Sequence, residues 1–176
     1  TNNKLSQITL SLGPCFGTCP VSSISMDRAG NIIYLGESNT KNIGFFKGKI
    51  DKNIFLEIES DLNRIRFTEL KNEYSVAATD LPDLSVTFIN NDKIVKTIYA
   101  YGNTEPRNLK PILNKIIYSY QNANLKRFEY NYPILNPAFP PQFLVNNSEA
   151  FYLQTLLLKA KKTEFKFKTK YRSCLK

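Results

Sequence analysis

Alternating apolar and polar residues predict a β-strand near the start of the chain. Over residues 5–12, Ile8, Leu10 and Leu12 fall on one side and mainly polar residues on the other, which is the period of a half-buried strand. A loop that contains two prolines and two cysteines follows and ends this strand.

A hairpin is predicted next, between strands at residues 21–26 and 31–36. In its turn, Asp27 is placed to accept hydrogen bonds from backbone N–H groups, and Gly30 is free to adopt a left-handed conformation. A further strand is predicted over residues 41–50.

From residue 51 onward the apolar period changes from two to about 3.6. Ile54, Ile58 and Leu62 recur at helical spacing, and Asp51 is placed to cap the N-terminus of a helix. We interpret the charged residues between them as the solvated helix face: Glu57, Glu59, Asp61 and Arg64.

A second hairpin and a second helix follow. Strands are predicted over residues 84–89 and 94–101. The apolar pattern of residues 109–120 then predicts a helix, and we place its start at about Asn108 because Pro111 is tolerated only near the first turn.

The order β-β-β-α-β-β-α predicts an α+β domain over residues 5–126, an antiparallel sheet with its helices packed on one face. Residues 127–147, rich in proline and aromatic residues, are interpreted as a linker. Residues 148–176 are expected to form a helix capped by Ser148 and then a strand over 163–171, both docked on the domain.

Composition excludes several chemistries. The chain has 176 residues, 24 basic and 15 acidic, with a net charge of +9, three cysteines and no histidine. Without histidine there is no imidazole general base and no histidine-ligated zinc, and three thiols do not complete an all-cysteine zinc site. We therefore predict no catalytic residue, no metal site and no cofactor. No stretch approaches the roughly 20 apolar residues of a membrane span.

Three sequence elements together resemble the bacterial DUF6438 family, a domain of unknown function, over about residues 5–120. They are Pro-Cys-Phe-Gly-Thr-Cys-Pro at residues 14–20, a hairpin with Asp27, Gly30, Tyr34 and Gly36, and Thr79-Asp80-Leu81-Pro82. The resemblance implies a small extracytoplasmic domain, in the periplasm or at the cell surface. It does not indicate which activity the domain has. The start at Thr1 is consistent with removal of a signal sequence or with a boundary of the sequence itself.

Cys15 and Cys19 have two interpretations. They are either a structural disulfide, in a loop where Gly17 can take a positive φ, or a thiol redox pair. We favour the disulfide, because the spacing is CxxxC, a strand and not a helix follows, and the resemblance implies export.

The carboxylates of Asp80 and Asp83 have a structural and a catalytic interpretation. Two acids facing one cleft are what a glycosidase needs, but acids beside Leu81 and Pro82 more often shape a turn. We favour Asp80 and Pro82 as turn residues, with Asp80 bonding the backbone through its side chain.

The C-terminal residues carry the strongest charge signal. From residue 159 onward there are eight basic residues and one acidic residue, which is +7 of the net +9. This pattern is typical of a solvated edge strand or of a surface for an anionic polymer. Nucleic acid is disfavoured, because base recognition favours arginine and lysine dominates here. The candidate anion-binding residues are Lys159, Lys161, Lys162, Lys166, Lys168, Lys170 and Arg172.

The leading hypothesis from the sequence is therefore a non-catalytic, exported domain that binds or scaffolds in the cell envelope, with a cell-envelope protein or an anionic polymer as its partner. A thiol redox protein and a binder of anionic polymer through the basic C-terminal strand are the alternatives.

Overall fold

The computed structural model of the protein describes residues 3–129 and 146–160. Within these ranges the chain forms an eight-stranded sheet and three α-helices. The strands are β1 (Gln7–Leu12), β2 (Val21–Asp27), β3 (Asn31–Ser38), β4 (Gly44–Lys49), β5 (Glu73–Tyr74), β6 (Asp83–Asn90), β7 (Lys93–Tyr101) and β8 (Lys126–Arg127). The helices are α1 (Lys52–Arg64), α2 (Lys110–Tyr118) and α3 (Asn147–Lys159).

The strand order in the sheet is β5-β7-β6-β1-β2-β3-β4-β8. All neighbouring strands are antiparallel except β5 and β7, which are parallel. Strand β1 lies near the centre, with Ile8 opposite Met26 of β2 and Phe88 of β6. The predicted α+β class with a mostly antiparallel sheet is confirmed.

The predicted order β-β-β-α-β-β-α counts one strand too few before α1, where four are present, and one too few between α1 and α2, where three are present. The strand predicted over residues 41–50 is the fourth, β4. Strand β4 pairs with β3 from Gly36 opposite Gly44 to Asn31 opposite Lys49. Its two glycines lower the strand propensity of this short segment, and its pairing with β3 stabilises it as a strand. The two-residue strands β5 and β8 carry too little pattern to be recognised in the sequence.

The β2–β3 turn is built from short-range contacts. The carboxylate of Asp27 accepts hydrogen bonds from the N–H groups of Ala29 at 3.0 Å and Asn31 at 2.9 Å. Gly30 has a φ of 84°, and a Cβ atom there would clash with the carbonyl of Ile50. A residue other than glycine would therefore be both strained and crowded.

Helices α1 and α2 pack on one face of the sheet and close the main hydrophobic core. Their buried residues belong to the same core cluster as Ile8 and Leu10 of β1 and Met26 of β2. Helix α2 begins two residues after the predicted start, with Pro111 in its first turn. Each large apolar side chain buried here contributes roughly 1.5–3 kcal/mol. The buried helical residues are Phe55, Ile58, Leu62, Ile112, Leu113 and Ile116.

Helix α1 has the predicted N-cap, since the carboxylate of Asp51 accepts the N–H of Asn53 at 2.9 Å. The interpretation of Glu59 as a solvated residue is wrong. Its carboxylate accepts the N–H of Leu5 at 2.5 Å and forms an ion pair with Arg28, whose Nε also donates to the Leu5 carbonyl at 2.9 Å. Glu59 therefore ties α1 to the residues just before β1.

The opposite face of the sheet is buried but polar. Helix α3 packs on it, against β1, β2 and β6. Because serine, threonine and glutamine alternate with the core residues along these strands, the sequence pattern alone favours a solvated face. The buried polar residues of this face are Gln7, Thr9, Ser11, Ser23, Ser25, Ser85 and Thr87.

Asn146, and not Ser148, is the N-cap of α3. The backbone N–H of Asn146 donates to the carboxylate of Glu149 at 3.1 Å. Ser148 is fully buried, with its N–H donating to Ser85 Oγ at 3.0 Å and its hydroxyl oxygen 2.8 Å from that of Thr87. The prediction of Ser148 as the cap is therefore wrong, because this side chain belongs to the contact with the sheet.

The C-terminal predictions fall largely outside the described residues. The expected linker at 127–147 overlaps β8 and the start of α3, and its residues 130–145 are not described. The expected strand at 163–171 lies outside them as well.

Candidate functional site

The loop between β1 and β2 brings Cys15 and Cys19 together. Their Cα atoms are 5.6 Å apart and their sulfur atoms lie at disulfide distance, which is compatible with the expected bridge. Gly17 has a φ of 136°, and Phe16 at the tip of the loop is 88% exposed.

Neighbouring turns hold this loop. The N–H of Phe16 donates to the carbonyl of Asp80 at 3.0 Å, and Nδ2 of Asn39 donates to the carbonyl of Cys19 at 3.1 Å. Asp80 has a φ of 64°, and among the described residues its side chain has no hydrogen-bond partner. Asp80 therefore shapes its turn through the backbone and not through the side-chain bond that we expected.

Asp83 lies where β6 meets the end of β1. The carbonyl of Asp83 accepts the N–H of Gly13, and the carbonyl of Pro82 accepts the N–H of Gly102, both at 2.9 Å. The Asp83 side chain occupies the space that a Cβ at Gly13 would need. Burial raises the pKa of the Asp83 carboxyl, and burial followed by the nearby charge of Asp83 raises the pKa of Tyr99. Asp83 therefore has a packing role at this junction.

The surroundings of the cysteines fit a structural bridge better than a redox site. Cys19 is followed by β2, whereas redox-active thiols are commonly activated at a helix N-terminus. Within residues 3–129 and 146–160, no three cysteine or carboxylate side chains are grouped so that they could hold a metal ion.

A second candidate site is a cavity of about 590 Å³ on the face of the sheet that carries α3. Among the described residues, four exposed lysines line it: Lys47 and Lys49 of β4, Lys126 of β8, and Lys159 of α3. We call this the lysine cavity.

The register of the sheet brings these lysines together. Ser25 lies opposite Ile33, Ile33 opposite Lys47, and Lys47 opposite Lys126. Lys49 follows two residues after Lys47 and therefore points to the same face of β4. The floor of the lysine cavity is thus a row of residues that crosses β2, β3, β4 and β8.

The positive charge of the lysine cavity lacks a carboxylate partner within the described part of the chain. No ion pair within 4.0 Å is formed there by any of the four ammonium groups. Asp27 also lines the cavity, but its oxygens accept hydrogen bonds from Ala29 and from the backbone and side-chain N–H groups of Asn31. Lys47 lies over the ring of Phe128, 5.8 Å from its centroid. Such a cluster of like charges produces a positive potential that attracts anions.

The predicted and the observed basic sites share one residue. Lys159 lines the lysine cavity, whereas the other predicted anion-binding residues, from Lys161 to Arg172, lie outside the described residues. Sequence reasoning missed Lys47, Lys49 and Lys126. Lys47 and Lys49 do alternate with the strand period, but only the pairing of β4 with β3 and β8 shows which face they share.

No helix in residues 3–129 or 146–160 has the length and apolar character that crossing a bilayer requires.

The fold and the first of these sites define the class of the protein, an α+β domain with a cysteine loop between two central strands of a mostly antiparallel sheet. The model of a family described as Domain of unknown function (DUF6438) matches residues 6–120, and the chain belongs to this family. The resemblance seen in the sequence is therefore confirmed. No curated protein matches the chain. Lys47 and Lys49 lie within the matched residues, and Lys126 and Lys159 lie beyond them.

Proposed function

We propose that the protein is a non-catalytic, extracytoplasmic binding domain of the cell envelope and that it binds a multiply charged anion in the lysine cavity. The observation that carries this proposal is the convergence of Lys47, Lys49, Lys126 and Lys159 on one cavity, without a carboxylate partner among the described residues. The net charge of +9 adds long-range attraction for anions.

The dimensions and lining of the cavity narrow the class of ligand. A volume of about 590 Å³ is in the range of small-molecule sites. Lysine ammonium groups act as point charges that suit phosphate and carboxylate alike. The side-chain amides of Asn31 and Asn124 add hydrogen-bonding groups, and Ile33 adds an apolar surface. These features favour a compact molecule with several phosphate or carboxylate groups.

The extracytoplasmic location is supported by the geometry of Cys15 and Cys19, because disulfides persist mainly in oxidising compartments. Alkylation of the protein from its native host without reduction, followed by peptide mapping, tests this. We expect both cysteines to resist alkylation until a reductant is added. Recovery of both as free thiols would overturn the proposed location.

Titration calorimetry at low salt tests the binding function, with sodium tripolyphosphate and sodium citrate as probes. The variant Lys47→Ser/Lys126→Ser removes two ammonium groups from the cavity. Because each charge-assisted hydrogen bond contributes about 1.5–3 kcal/mol, we expect affinity for the better probe to fall about tenfold or more. Preference for one probe distinguishes phosphate from carboxylate ligands.

The control is Lys41→Ser/Lys71→Ser, which makes the same change in net charge at exposed lysines outside the cavity lining. We expect it to change affinity less than twofold. Equal losses in the two double variants would show general attraction and not a site, and no binding of either probe by the wild type would overturn the function. A loss of affinity only in Lys166→Ser/Lys168→Ser/Lys170→Ser would show that the anion binds to the C-terminal residues and not in the lysine cavity.

A further inference from the structure

We infer that helix α3 is a ligand-coupled wall of the lysine cavity: an anion bound there stabilises α3 on the sheet, and undocking of α3 weakens anion binding. This inference rests on the proposed function and names the regulation of the same site.

Helix α3 contacts the sheet through buried polar residues as well as apolar ones. The hydroxyl oxygens of Ser148 and Thr87 are 2.8 Å apart, and Thr97 donates to the carboxylate of Glu149 at 2.6 Å. When α3 leaves the sheet, water replaces these partners, so each hydrogen bond contributes little net stability to docking. The polar face of the sheet can therefore be in contact with water when α3 is undocked, or covered by α3 when it is docked.

The apolar part of the contact lies outside the main core, although Ala150 and Tyr152 are buried in it as well as Phe151. Phe151 is 3% exposed and packs with Leu35 and Phe45 in a cluster separate from the main core. Helices α1 and α2 instead contribute to the large core on the other face. An element that packs outside the main core, against a small separate cluster, opens at a lower free energy than the elements of that core. Helix α3 is thus the helix of the described chain most ready to undock.

The docking contact and the lysine cavity share residues. Lys159, in the last turn of α3, lines the cavity. Gln7 lines it too, and its Nε2 donates both to Thr155 of α3 at 2.9 Å and to Ser25 of β2 at 2.8 Å. Docking of α3 therefore places the fourth ammonium group and organises one wall of the site.

Electrostatic interactions determine the direction of the coupling between anion binding and docking of α3. Without an anion, docking moves Lys159 toward Lys47, Lys49 and Lys126, and the like charges repel one another. A bound polyanion replaces this repulsion with attraction between Lys159 and the ligand. Because the anion binds the docked state more tightly, it shifts the population toward that state, and the effect on affinity is reciprocal.

Amide hydrogen exchange on the full chain tests the inference without any substitution. Saturating tripolyphosphate should slow exchange of the α3 amides by about fivefold or more, the lower end of typical coupling, while α2 amides that exchange by global unfolding report the overall gain in stability. If α3 exchange does not change while calorimetry shows tripolyphosphate bound at the lysine cavity, the inference is wrong and the proposed function stands.

A matched pair of variants tests the reverse direction. Phe151→Ala removes a buried aromatic contact of α3 without altering the cavity lining, and Leu153→Ala makes the same kind of change at a residue that is 45% exposed. We expect tripolyphosphate affinity to fall about fivefold or more in Phe151→Ala and less than twofold in Leu153→Ala. Wild-type affinity in Phe151→Ala with an undocked α3 would overturn the coupling. If Phe151→Ala fails to fold, the exchange experiment on the wild type decides.

Discussion

The side-chain Nε2 of Gln7 in β1 donates a hydrogen bond to Oγ1 of Thr155 in α3 over 2.9 Å. Nε2 also donates to Ser25, and the Thr155 hydroxyl donates to the carbonyl of Tyr152 at 2.7 Å. Gln7, Ser25 and Thr155 are all buried, so water could not readily replace a hydrogen-bond partner that one of them lost.

Replacing Gln7 with leucine should therefore lower the free energy of unfolding by about 1–3 kcal/mol, because Ser25 and Thr155 would each lose a partner in a buried place. Urea denaturation measures the change. Gln121→Leu makes the same replacement at an exposed glutamine and should have almost no effect. Equal stabilities of the two variants would show that the buried hydrogen bonds of Gln7 are not needed.

The ion pair of Arg28 and Glu59 should show measurable coupling, since it also holds the backbone of Leu5. In a double-mutant cycle with Arg28→Met and Glu59→Gln, we expect a coupling energy of about 1 kcal/mol, because both side chains keep some contact with water. Glu57→Gln, on the exposed side of α1, is the control and should change little. Additive effects of Arg28→Met and Glu59→Gln would contradict the prediction.

Loss of the Cys15–Cys19 bridge should destabilise the protein modestly, since the loop that it closes is short. For Cys15→Ser/Cys19→Ser we expect a loss of roughly 2 kcal/mol on chain-entropy grounds, with the fold retained. Thermal unfolding with and without reductant measures this. Reductant should lower the melting temperature of the wild type and leave that of the variant unchanged. The same response in both proteins would argue against a stabilising bridge.

Asp83 should make stability depend on pH in a defined direction. Burial raises the pKa of its carboxyl in the folded state, so ionisation costs more there than in the unfolded chain. The cost is absent below the ordinary value of 3.8, grows as the pH rises, and is complete above the folded pKa. Asp83→Asn should therefore be more stable than the wild type at neutral pH, with the difference vanishing in acid.

Unfolding by urea at several pH values checks this prediction. Asp80→Asn, at an exposed residue three positions earlier, is the control and should follow the wild type at every pH. A constant difference between Asp83→Asn and the wild type from acid to neutral pH would mean that packing, and not ionisation, causes the effect.

Short-range physics was sufficient for much of the fold. The β2–β3 turn follows from Asp27 and Gly30, and the start of α1 follows from Asp51, because in each case the stabilising contacts join residues a few positions apart. The two periods, two for strands and about 3.6 for helices, also separated the sheet from α1 and α2. The cysteine loop was recognisable for the same reason, since its cysteines are four residues apart.

By itself, then, the sequence determined the α+β class, the β2–β3 turn, the N-cap of α1, the cysteine loop and the family. Only the tertiary structure decided that β4 pairs with both β3 and β8, that α3 covers a polar face of the sheet, and that Lys47 and Lys126 meet Lys159 at one cavity. These features depend on contacts between residues far apart in the chain. A serine or lysine on a strand has the same local pattern whether it faces water, a helix or a cavity, so strand pairing and helix docking must supply the difference.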